Sequence, residues 1–256
     1  MKIVVALKQV AGRDSAFEVR PDGIWIDEDD LEFEVNEPDA YALEAALKLK
    51  ESEGGEVVVL CAGPDRTSKA IKEALAKGAD RAVHIELEDP ERLDTLALAG
   101  LLAKVVETEA PDLVLTGLQS DDLGSGQTGV VLAELLGAPH ASIIMEIEKS
   151  GSGLRVRREL EGGWFQHVEL PLPAVLTIQS GISKLRYATL MGIKKARSKQ
   201  VRHVSAEELA AGVAPVIRLD RLRLPEKTKE TQMLDGPPAE AAAKLVEKLK
   251  FEARTL

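Results

Sequence analysis

The run Gly124-Ser125-Gly126-Gln127-Thr128-Gly129 has the residue types of a phosphate-binding loop. It spells G-x-G-x-x-G, and Glu146 lies 20 residues after Gly126, as in a dinucleotide-binding fingerprint. In that fingerprint the first glycine directly follows a strand, whereas here the six residues 118–123 intervene after Gly117. We therefore favour a looser hypothesis, in which free backbone N–H groups and the dipole of the following helix bind a phosphate. A purely structural turn is the alternative.

Side chains around this loop could complete a nucleotide site. Gln127 and Thr128 offer hydrogen-bond donors to a phosphate. Asp121 and Asp122 would repel one, so we expect them to cap the loop or to accept hydrogen bonds from an adenosine or a ribose.

Residues suited to bond-breaking chemistry are scarce. None of the four histidines stands at a spacing typical of metal ligands, which disfavours a metal site; they are His84, His140, His167 and His203. The sequence contains neither a G-x-S-x-G elbow nor a G-x-x-x-x-G-K-[ST] loop. We expect Cys61 to be a small core residue of an apolar strand, and Asp94 with Thr95 to cap a helix. The sequence therefore predicts a protein that holds a nucleotide without transforming it and has no catalytic residues of its own.

Charge is distributed unevenly along the chain. The formal net charge is −10, yet no carboxylate occurs between Glu169 and Glu207. Within that interval stand seven basic residues, so the remainder of the chain carries −17; they are Lys184, Arg186, Lys194, Lys195, Arg197, Lys199 and Arg202. Four apolar side chains are set among them: Tyr187, Leu190, Met191 and Ile193. If exposed, they would form an apolar anchor in a basic rim that suits a protein partner with an acidic rim. An ordinary buried helix is the alternative.

Composition excludes several classes of protein. The acidic balance, with a pI near 5.1, and the presence of only eight aromatic residues argue against nucleic-acid binding. A single cysteine excludes an internal disulfide framework and fits a reducing compartment. No apolar stretch is long enough for a signal-peptide core or for membrane insertion, so we expect a cytoplasmic protein, with the lumen of an organelle, after removal of a presequence, as the alternative.

The elements that would position these residues alternate between strands and helices. Strands are predicted at 2–7, 56–60, 81–85, 112–116 and 142–148, and helices at 41–50, 66–77, 92–107 and about 128–136, with Asn36 and Asp39 as possible caps of the first helix. This alternation predicts a parallel α/β sheet covered on both faces. Such sheets bind ligands outside the carboxyl ends of their strands, which here means residues 6–10, 61–65 and 116 onward.

The pattern changes in the second half of the chain. Residues 154–160 and 164–170, joined by a Gly162-Gly163 turn, predict an antiparallel hairpin, and residues 174–178 predict a further strand. We assign residues 1–200 to one nucleotide-binding α/β domain. Residues 201–256 are assigned to an extended C-terminal arm that is too small to fold alone and packs on the main domain or on another chain. Within this arm, 216–224 could be a strand, 225–238 a linker and 238–251 an amphipathic helix.

Taken together, these segments resemble the β subunit of electron transfer flavoproteins. The similar motifs run in order along essentially the whole chain: VALKQV (5–10), Asn36-Glu37-Pro38-Asp39, ALAKGADRAVH (74–84), DLVLTGLQSDDLGSGQTG (112–129), VRRELEGGWFQHVELPLPAVLT (156–177) and LRYATLMGIKKARSK (185–199). The last of these motifs is the most specific.

The resemblance implies a nucleotide-binding fold of the Rossmann-like, adenine nucleotide α-hydrolase-like kind. It implies a heterodimer with an α subunit that holds most of the FAD, and a structural AMP in the β subunit. The implied AMP site comprises Ala6, Asn36, Glu37, Pro38, Asp39, Ala62, Asp122, Leu123, Gly124, Ser125, Gly126, Gln127, Thr128 and Gly129. The implied recognition segment, at about 180–199, docks on acyl-CoA dehydrogenases and similar flavin dehydrogenases through Leu185, Arg186, Tyr187, Leu190, Met191, Ile193, Lys194 and Lys195, with Leu190 as the anchor. Electrons would pass on to an electron transfer flavoprotein–quinone oxidoreductase. The C-terminal arm would wrap the α subunit, and residues 11–17 would approach the flavin.

Two positions depart from the usual pattern of this family. Asp39 stands where its best-known members have a cysteine, and Leu123-Gly124-Ser125-Gly126 replaces an Asp/Cys/Asn-type run. These departures keep open a flavin-bifurcating β subunit that holds a second FAD in place of AMP. A free-standing nucleotide-binding stress or signalling protein is the alternative from another class. An adenylating enzyme is disfavoured because the sequence lacks an SGGxDS-type pyrophosphate loop.

Overall fold

The computed structural model describes residues 1–209, 214–225 and 231–255. Its strands are β1 (Lys2–Leu7), β2 (Gln9–Ala11), β3 (Phe33–Val35), β4 (Glu56–Gly63), β5 (Arg81–Glu86), β6 (Leu113–Gly117), β7 (His140–Ser150), β8 (Gly153–Glu159), β9 (Phe165–Leu170), β10 (Ala174–Ile178) and β11 (Val201–Ser205). Its helices are α1 (Glu37–Glu53), α2 (Ser68–Lys77), α3 (Thr95–Glu109), α4 (Thr128–Leu135), α5 (Leu190–Ala196), α6 (Ala206–Leu209) and α7 (Pro238–Phe251).

Within the described residues, nine strands form one sheet in the order β11-β5-β4-β1-β6-β10-β7-β8-β9. The strands from β11 to β7 are parallel, and β7, β8 and β9 form an antiparallel meander at one edge. Strands β2 and β3 pair with each other in a separate antiparallel ribbon. The predicted α/β class with a parallel sheet and an antiparallel hairpin is thus confirmed.

Helices cover both faces of the parallel sheet, as the β-branched strands require. Ile3 and Val5 of β1 pack in one core cluster with residues of α1 and α2, such as Ala46 and Ile71. Val4, which points to the opposite face, packs in a second cluster with residues of α3 and α4. Each central strand is therefore buried on both sides.

The structure differs from the sequence-based expectation mainly at the end of the main unit. The compact unit extends from Met1 to Leu222 because β11 pairs in parallel with β5, so residues 201–222 belong to the main unit and not to the arm. The strand predicted over residues 216–224 is wrong, since those residues form no strand. Their position is fixed instead by Asp94, whose carboxylate accepts hydrogen bonds from the backbone N–H groups of Val216 and Ile217 at 2.7 and 2.8 Å.

Residues 223–256 form a second unit, which contains α7. Part of the predicted linker, residues 226–230, lies outside the described residues. Helix α7 has the predicted bounds, has no buried residue of its own, and exposes Leu245, Val246 and Phe251. Of the helices that the structure describes, none has both the length and the apolar composition needed to cross a membrane.

Candidate functional site

A cleft opens at the carboxyl ends of β1, β4 and β6. The chain runs from β1 to β4 on one side and later returns to β6 on the other, so this is the point where the strand order reverses. The cleft is lined there by residues 6–9, 62–64 and 116–120, together with the start of α4.

The floor of the cleft is organised by Asp39, in the first turn of α1. Its buried carboxylate accepts hydrogen bonds from the backbone N–H of Lys8 at 2.7 Å and from that of Gly117 at 2.9 Å. It therefore joins the ends of β1 and β6 to α1. Burial raises the pKa of Asp39 to about 7, against the hydrogen bonds that favour its ionised form. A side chain at Gly117 would collide with Asp39, so the approach of α1 requires glycine there.

Asn36 connects α1 to the loop after β6. It occupies the N-cap position, but its side chain does not cap the helix. Its amide donates to the carbonyl of Gln119 at 3.0 Å, and its Oδ1 accepts from the backbone N–H of Asp121 at 2.9 Å. Asn36 therefore has the predicted N-cap position, but its side chain binds the loop after β6 instead of the helix. The predicted cap role of Asp39 is wrong, because its side chain binds backbone groups at the ends of β1 and β6.

The two consecutive aspartates of this loop are held by cations. Asp122 contacts Lys8 Nζ at 2.6 Å and accepts from the backbone N–H of Leu123 at 2.6 Å. Desolvation opposes its ionisation, but the charge of Lys8 keeps the pKa of Asp122 below its usual value. Asp121 accepts two hydrogen bonds from Arg13, each of 3.1 Å, and Arg13 also pairs with Glu37. Both aspartates thus fasten the loop, one of the two roles expected for them.

The glycine-rich segment leads from this loop into α4. Gly124 and Gly126 have φ values of +61° and +62°, a left-handed conformation that favours glycine. Gly129 lies inside α4, where an added Cβ would collide with the side chains of Thr116 and Thr177. The close packing of α4 on β6 and β10 therefore accounts for Gly129, and it directs the N-terminus of α4, with Gln127 and Thr128, into the cleft.

The structure brings ten of the fourteen predicted nucleotide-site residues to the cleft lining: Ala6, Asn36, Asp39, Ala62, Asp122, Leu123, Ser125, Gly126, Gln127 and Thr128. Glu37 faces Arg13, Pro38 lies in the first turn of α1, and Gly124 and Gly129 shape the backbone as described. The lining also includes Lys8, within the range 6–10 expected at the strand ends, and Arg66 and Thr67, which were not predicted as site residues. Their signal was their position directly after β1 and β4.

Other residues considered in the sequence lie elsewhere. Glu146 is on β7 and pairs with Arg157 at 2.9 Å, so it does not take part in a dinucleotide fingerprint. Cys61 is buried in β4, and burial raises the pKa of its thiol to about 12, which fits the expected core role. Asp94 caps α3 as expected, accepting from the backbone N–H of Ala97 at 2.8 Å. Residues 12–16 line a separate groove with many carboxylates, among them Asp29 and Glu32.

The basic stretch forms a second exposed feature, which we call the α5 surface. It comprises Tyr187, Leu190, Met191 and Ile193, of which Tyr187 is 91% and Leu190 82% exposed, together with the exposed cations Lys184, Lys194, Lys195 and Arg197. Thr189 caps α5 through the backbone N–H of Gly192 at 3.0 Å. A Cβ at Gly192 would collide with the carbonyl of Ala76, so α5 packs on the end of α2 with its small residues and points its large apolar ones outward. The alternative of an ordinary buried helix is therefore wrong.

Within the described residues, three of the seven cations of the basic stretch have polar partners. Arg186 pairs with the buried Glu44 at 2.8 Å and with Glu51 at 2.6 Å, and these hydrogen bonds raise the pKa of Arg186. Lys199 donates to the carbonyls of Leu75, at 2.9 Å, and Ala79, and Arg202 pairs with Glu109. Arg186 is thus turned toward the chain itself and Leu185 is half-buried, whereas the other predicted docking residues are exposed.

Comparison with known proteins places this geometry in context. A model of the electron transfer flavoprotein domain matches residues 23–209. The chain is 43% identical to the electron transfer flavoprotein subunit beta of Methylophilus methylotrophus, over 96% of this chain and 97% of that protein. It is 34% identical to the protein of that name from Homo sapiens, over 98% of this chain and 97% of that protein. It is 33% identical to the one from Bacillus subtilis, over 90% of this chain and 91% of that protein.

Proposed function

The chain belongs to the electron transfer flavoprotein family, and we propose that it is the β-type electron-carrier subunit of a heterodimer whose α subunit holds most of the FAD. Membership supports an electron-transfer role, and the cleft and the α5 surface support the nucleotide-binding and docking roles that we assign to this subunit. We propose that the cleft binds AMP and that the α5 surface docks on electron-donating flavin dehydrogenases, including acyl-CoA dehydrogenases. The reduced complex then passes electrons to a quinone-linked oxidoreductase. A cytoplasmic location remains a prediction from the sequence.

The AMP proposal rests on one observation: the N-terminus of α4 lies in the cleft at the carboxyl ends of β1, β4 and β6, where the strand order reverses. Backbone N–H groups at a helix N-terminus favour a phosphate, and Thr128 adds a hydroxyl beside them. The acidic residues nearest to the loop are paired with Lys8 and Arg13, which reduces their repulsion of an anion. The bound FAD of the heterodimer would supply one- and two-electron transfer. The residues of this chain would bind AMP and dock on the dehydrogenase.

Counting nucleotides tests the proposal directly. The chain is co-expressed with its α subunit, the purified complex is denatured, and the released FAD and AMP are quantified. We expect one FAD and one AMP per heterodimer. Two FAD and no AMP would instead support the flavin-bifurcating alternative. A stable homodimer without flavin would support the stress or signalling alternative and refute the electron-carrier role.

A substitution in the cleft tests where the AMP binds. Ser125→Glu places a carboxylate beside the start of α4, where it repels a phosphate. The Kd for AMP should then rise at least about fivefold, because one repulsive charge at a desolvated phosphate costs more than about 1 kcal/mol, and the purified complex should retain less AMP. Ser152→Glu, in the exposed β7–β8 turn, adds the same charge away from the cleft and should keep its AMP. Equal AMP content in both variants would refute this location.

The docking role rests on Leu190, the most exposed aliphatic side chain of the α5 surface. Truncating an apolar anchor at the centre of an interface commonly costs 2 kcal/mol or more, so Leu190→Ala should lower kcat/KM for electron transfer from a cognate dehydrogenase by about 30-fold. FAD content should not change. Leu135→Ala, at an exposed site on α4, is the matched control and should transfer electrons normally. Unaltered kinetics of Leu190→Ala would refute the anchor role.

We further propose that residues 223–256 form an arm that packs on the α subunit. This unit contains a helix without a buried residue of its own, and its exposed Leu245, Val246 and Phe251 need a covering surface. Removing the chain after residue 222 should therefore prevent co-purification of the α subunit while the main unit still folds. Normal recovery of the heterodimer from the truncated chain would refute the arm's role.

A further inference from the structure

Two histidines and a glutamate meet at the edge of the sheet where β5 pairs with β11. His84 lies opposite His203 in the register of the two parallel strands, and Glu86 follows His84 on the same face of β5. One nitrogen or oxygen atom of each of the three side chains lies within 4.8 Å of the others. His203 Nδ1 and Glu86 Oε1 are 2.9 Å apart. Imidazole and carboxylate groups gathered in this way are typical ligands of Zn²⁺.

The hydrogen bonds of His84 determine which of its nitrogens can bind a ligand. Its Nε2 lies 2.9 Å from the carbonyl of Gly63, and a carbonyl can only accept, so Nε2 carries the proton. Thr67 Oγ1, at 2.8 Å, is a second acceptor for it, because its own hydroxyl donates to the carbonyl of Pro64. Nδ1 therefore carries a lone pair. His84 is 1% exposed, and among the described residues its Nδ1 has no hydrogen-bond partner.

These contacts resemble those of a metal-binding histidine. A ligating histidine usually donates its other N–H to a carbonyl or carboxylate, which fixes the tautomer and the ring orientation. His84 has this fixed orientation, and its remaining polar atom is buried without a partner, a state that needs an explanation in a folded chain. A cation at Nδ1 would supply the missing partner.

We propose that His84, Glu86 and His203 bind one divalent transition-metal ion of the Zn²⁺ class, which joins the edge strand β11 to β5. His84 supplies Nδ1, Glu86 a carboxylate oxygen and His203 Nδ1, whose proton leaves while the exposed ring takes the Nε2–H tautomer. Water completes the coordination. Tetrahedral ligands about 2.1 Å from zinc are roughly 3.4 Å from one another. His203 and Glu86 can adjust to this spacing because their side chains are 50% and 53% exposed, whereas His84 is fixed.

Calorimetric titration of Zn²⁺ into the full-length chain with its co-purified partner, stripped of metal by EDTA, tests this site. We expect one Zn²⁺ per chain and a rise in Tm on binding. His203→Gln and Glu86→Gln should each lower the association constant by at least about tenfold, since even the loss of an outer partner of a metal ligand does so. His167→Gln, at an exposed histidine on β9, is the matched control and should bind zinc as the unsubstituted chain does.

A direct measurement keeps the test independent of the variants. In crystals soaked with zinc, an anomalous difference peak at about 2.1 Å from His84 Nδ1 would support the site. A peak elsewhere, no saturable zinc binding, or binding that is unchanged in His203→Gln and Glu86→Gln would overturn the proposal.

Discussion

Replacing Arg186 by methionine should destabilise the chain, because Arg186 anchors the segment before α5 to α1. Its guanidinium binds Glu44 through Nε at 2.8 Å and Nη2 at 3.0 Å, and Glu51 through Nη1 at 2.6 Å and Nη2 at 3.2 Å. The side chain of Glu44 is only 5% exposed, so it would remain as a buried carboxylate without its cation.

The expected loss follows from the burial of this pair. Breaking a fully buried ion pair by removing one partner costs about 3–5 kcal/mol, whereas exposed pairs contribute about 1 kcal/mol or less. Arg186 is 29% exposed and Glu44 is nearly buried, so we expect an intermediate loss of about 2–3 kcal/mol in the free energy of unfolding. For a chain of this size that corresponds to roughly 4–12 °C in Tm.

Urea unfolding of the full-length chain measures this loss against a matched substitution. Arg197→Met removes the same group from the exposed end of α5, where Arg197 has no ion pair within the described residues, and should change the unfolding midpoint little. Adding Glu44→Gln to Arg186→Met should recover part of the loss, because the buried charge disappears with its partner. Equal midpoints for Arg186→Met and Arg197→Met, or additive effects in the double variant, would refute the anchoring role.

Three further substitutions test other contacts. Gly129→Ala should cost about 1–3 kcal/mol in unfolding free energy because its Cβ would collide with two strand side chains, whereas Gly12→Ala, which has room for a Cβ, should be nearly neutral. Because burial raises the pKa of Asp39 to about 7 from about 4 when unfolded, the folded chain holds more protons between these values. The unfolding free energy should therefore fall by up to about 4 kcal/mol as the pH rises from 4 through 7, and Asp39→Asn should flatten that slope in urea titrations; an unchanged slope would contradict the buried carboxyl. Asp94→Ala should lower the unfolding free energy by about 1–2 kcal/mol and accelerate amide hydrogen exchange at residues 216 and 217. Asp89→Ala, at an exposed site, is the control and should leave these exchange rates unchanged.

Local patterns in the sequence predicted the main strands and helices well. The β-branched runs of β1 and β4 are buried on both faces. A short, continuous, β-branched apolar run between turn residues is typical of a fully buried strand, which is why these strands were predicted. The ribbon of β2 and β3 was not predicted, since each strand has three residues and carries no period. β11 was not predicted because its pattern is weak, and its place beside β5 is set by tertiary pairing.

The position of the candidate cleft was also predictable, because the carboxyl ends of parallel strands near β1 meet by topology. What each side chain does there was not. Asn36 and Asp39 have the residue types of helix caps, yet they bind backbone groups about 80 residues away, at Gln119 and Gly117. A local preference for capping is worth about 1 kcal/mol, and two buried hydrogen bonds to strand ends that would otherwise lack partners outweigh it.

The sequence also did not reveal which cations of the basic stretch are neutralised by distant carboxylates. The sequence places seven cations there, but charges within a helix or loop do not reveal partners that fold back from elsewhere. Arg186 finds Glu44 across 142 residues, and Arg202 finds Glu109 across 93. Those pairs are neutralised, so the cations left to steer an acidic partner are the exposed Lys184, Lys194, Lys195 and Arg197. Steering by such exposed charges weakens as salt screens them, whereas the anchor at Leu190 does not depend on salt. Raising the ionic strength should therefore lower the association rate constant with a dehydrogenase. The loss of affinity caused by Leu190→Ala should be the same at low and at high salt. This comparison separates the electrostatic contribution of the cations from the apolar contribution of Leu190.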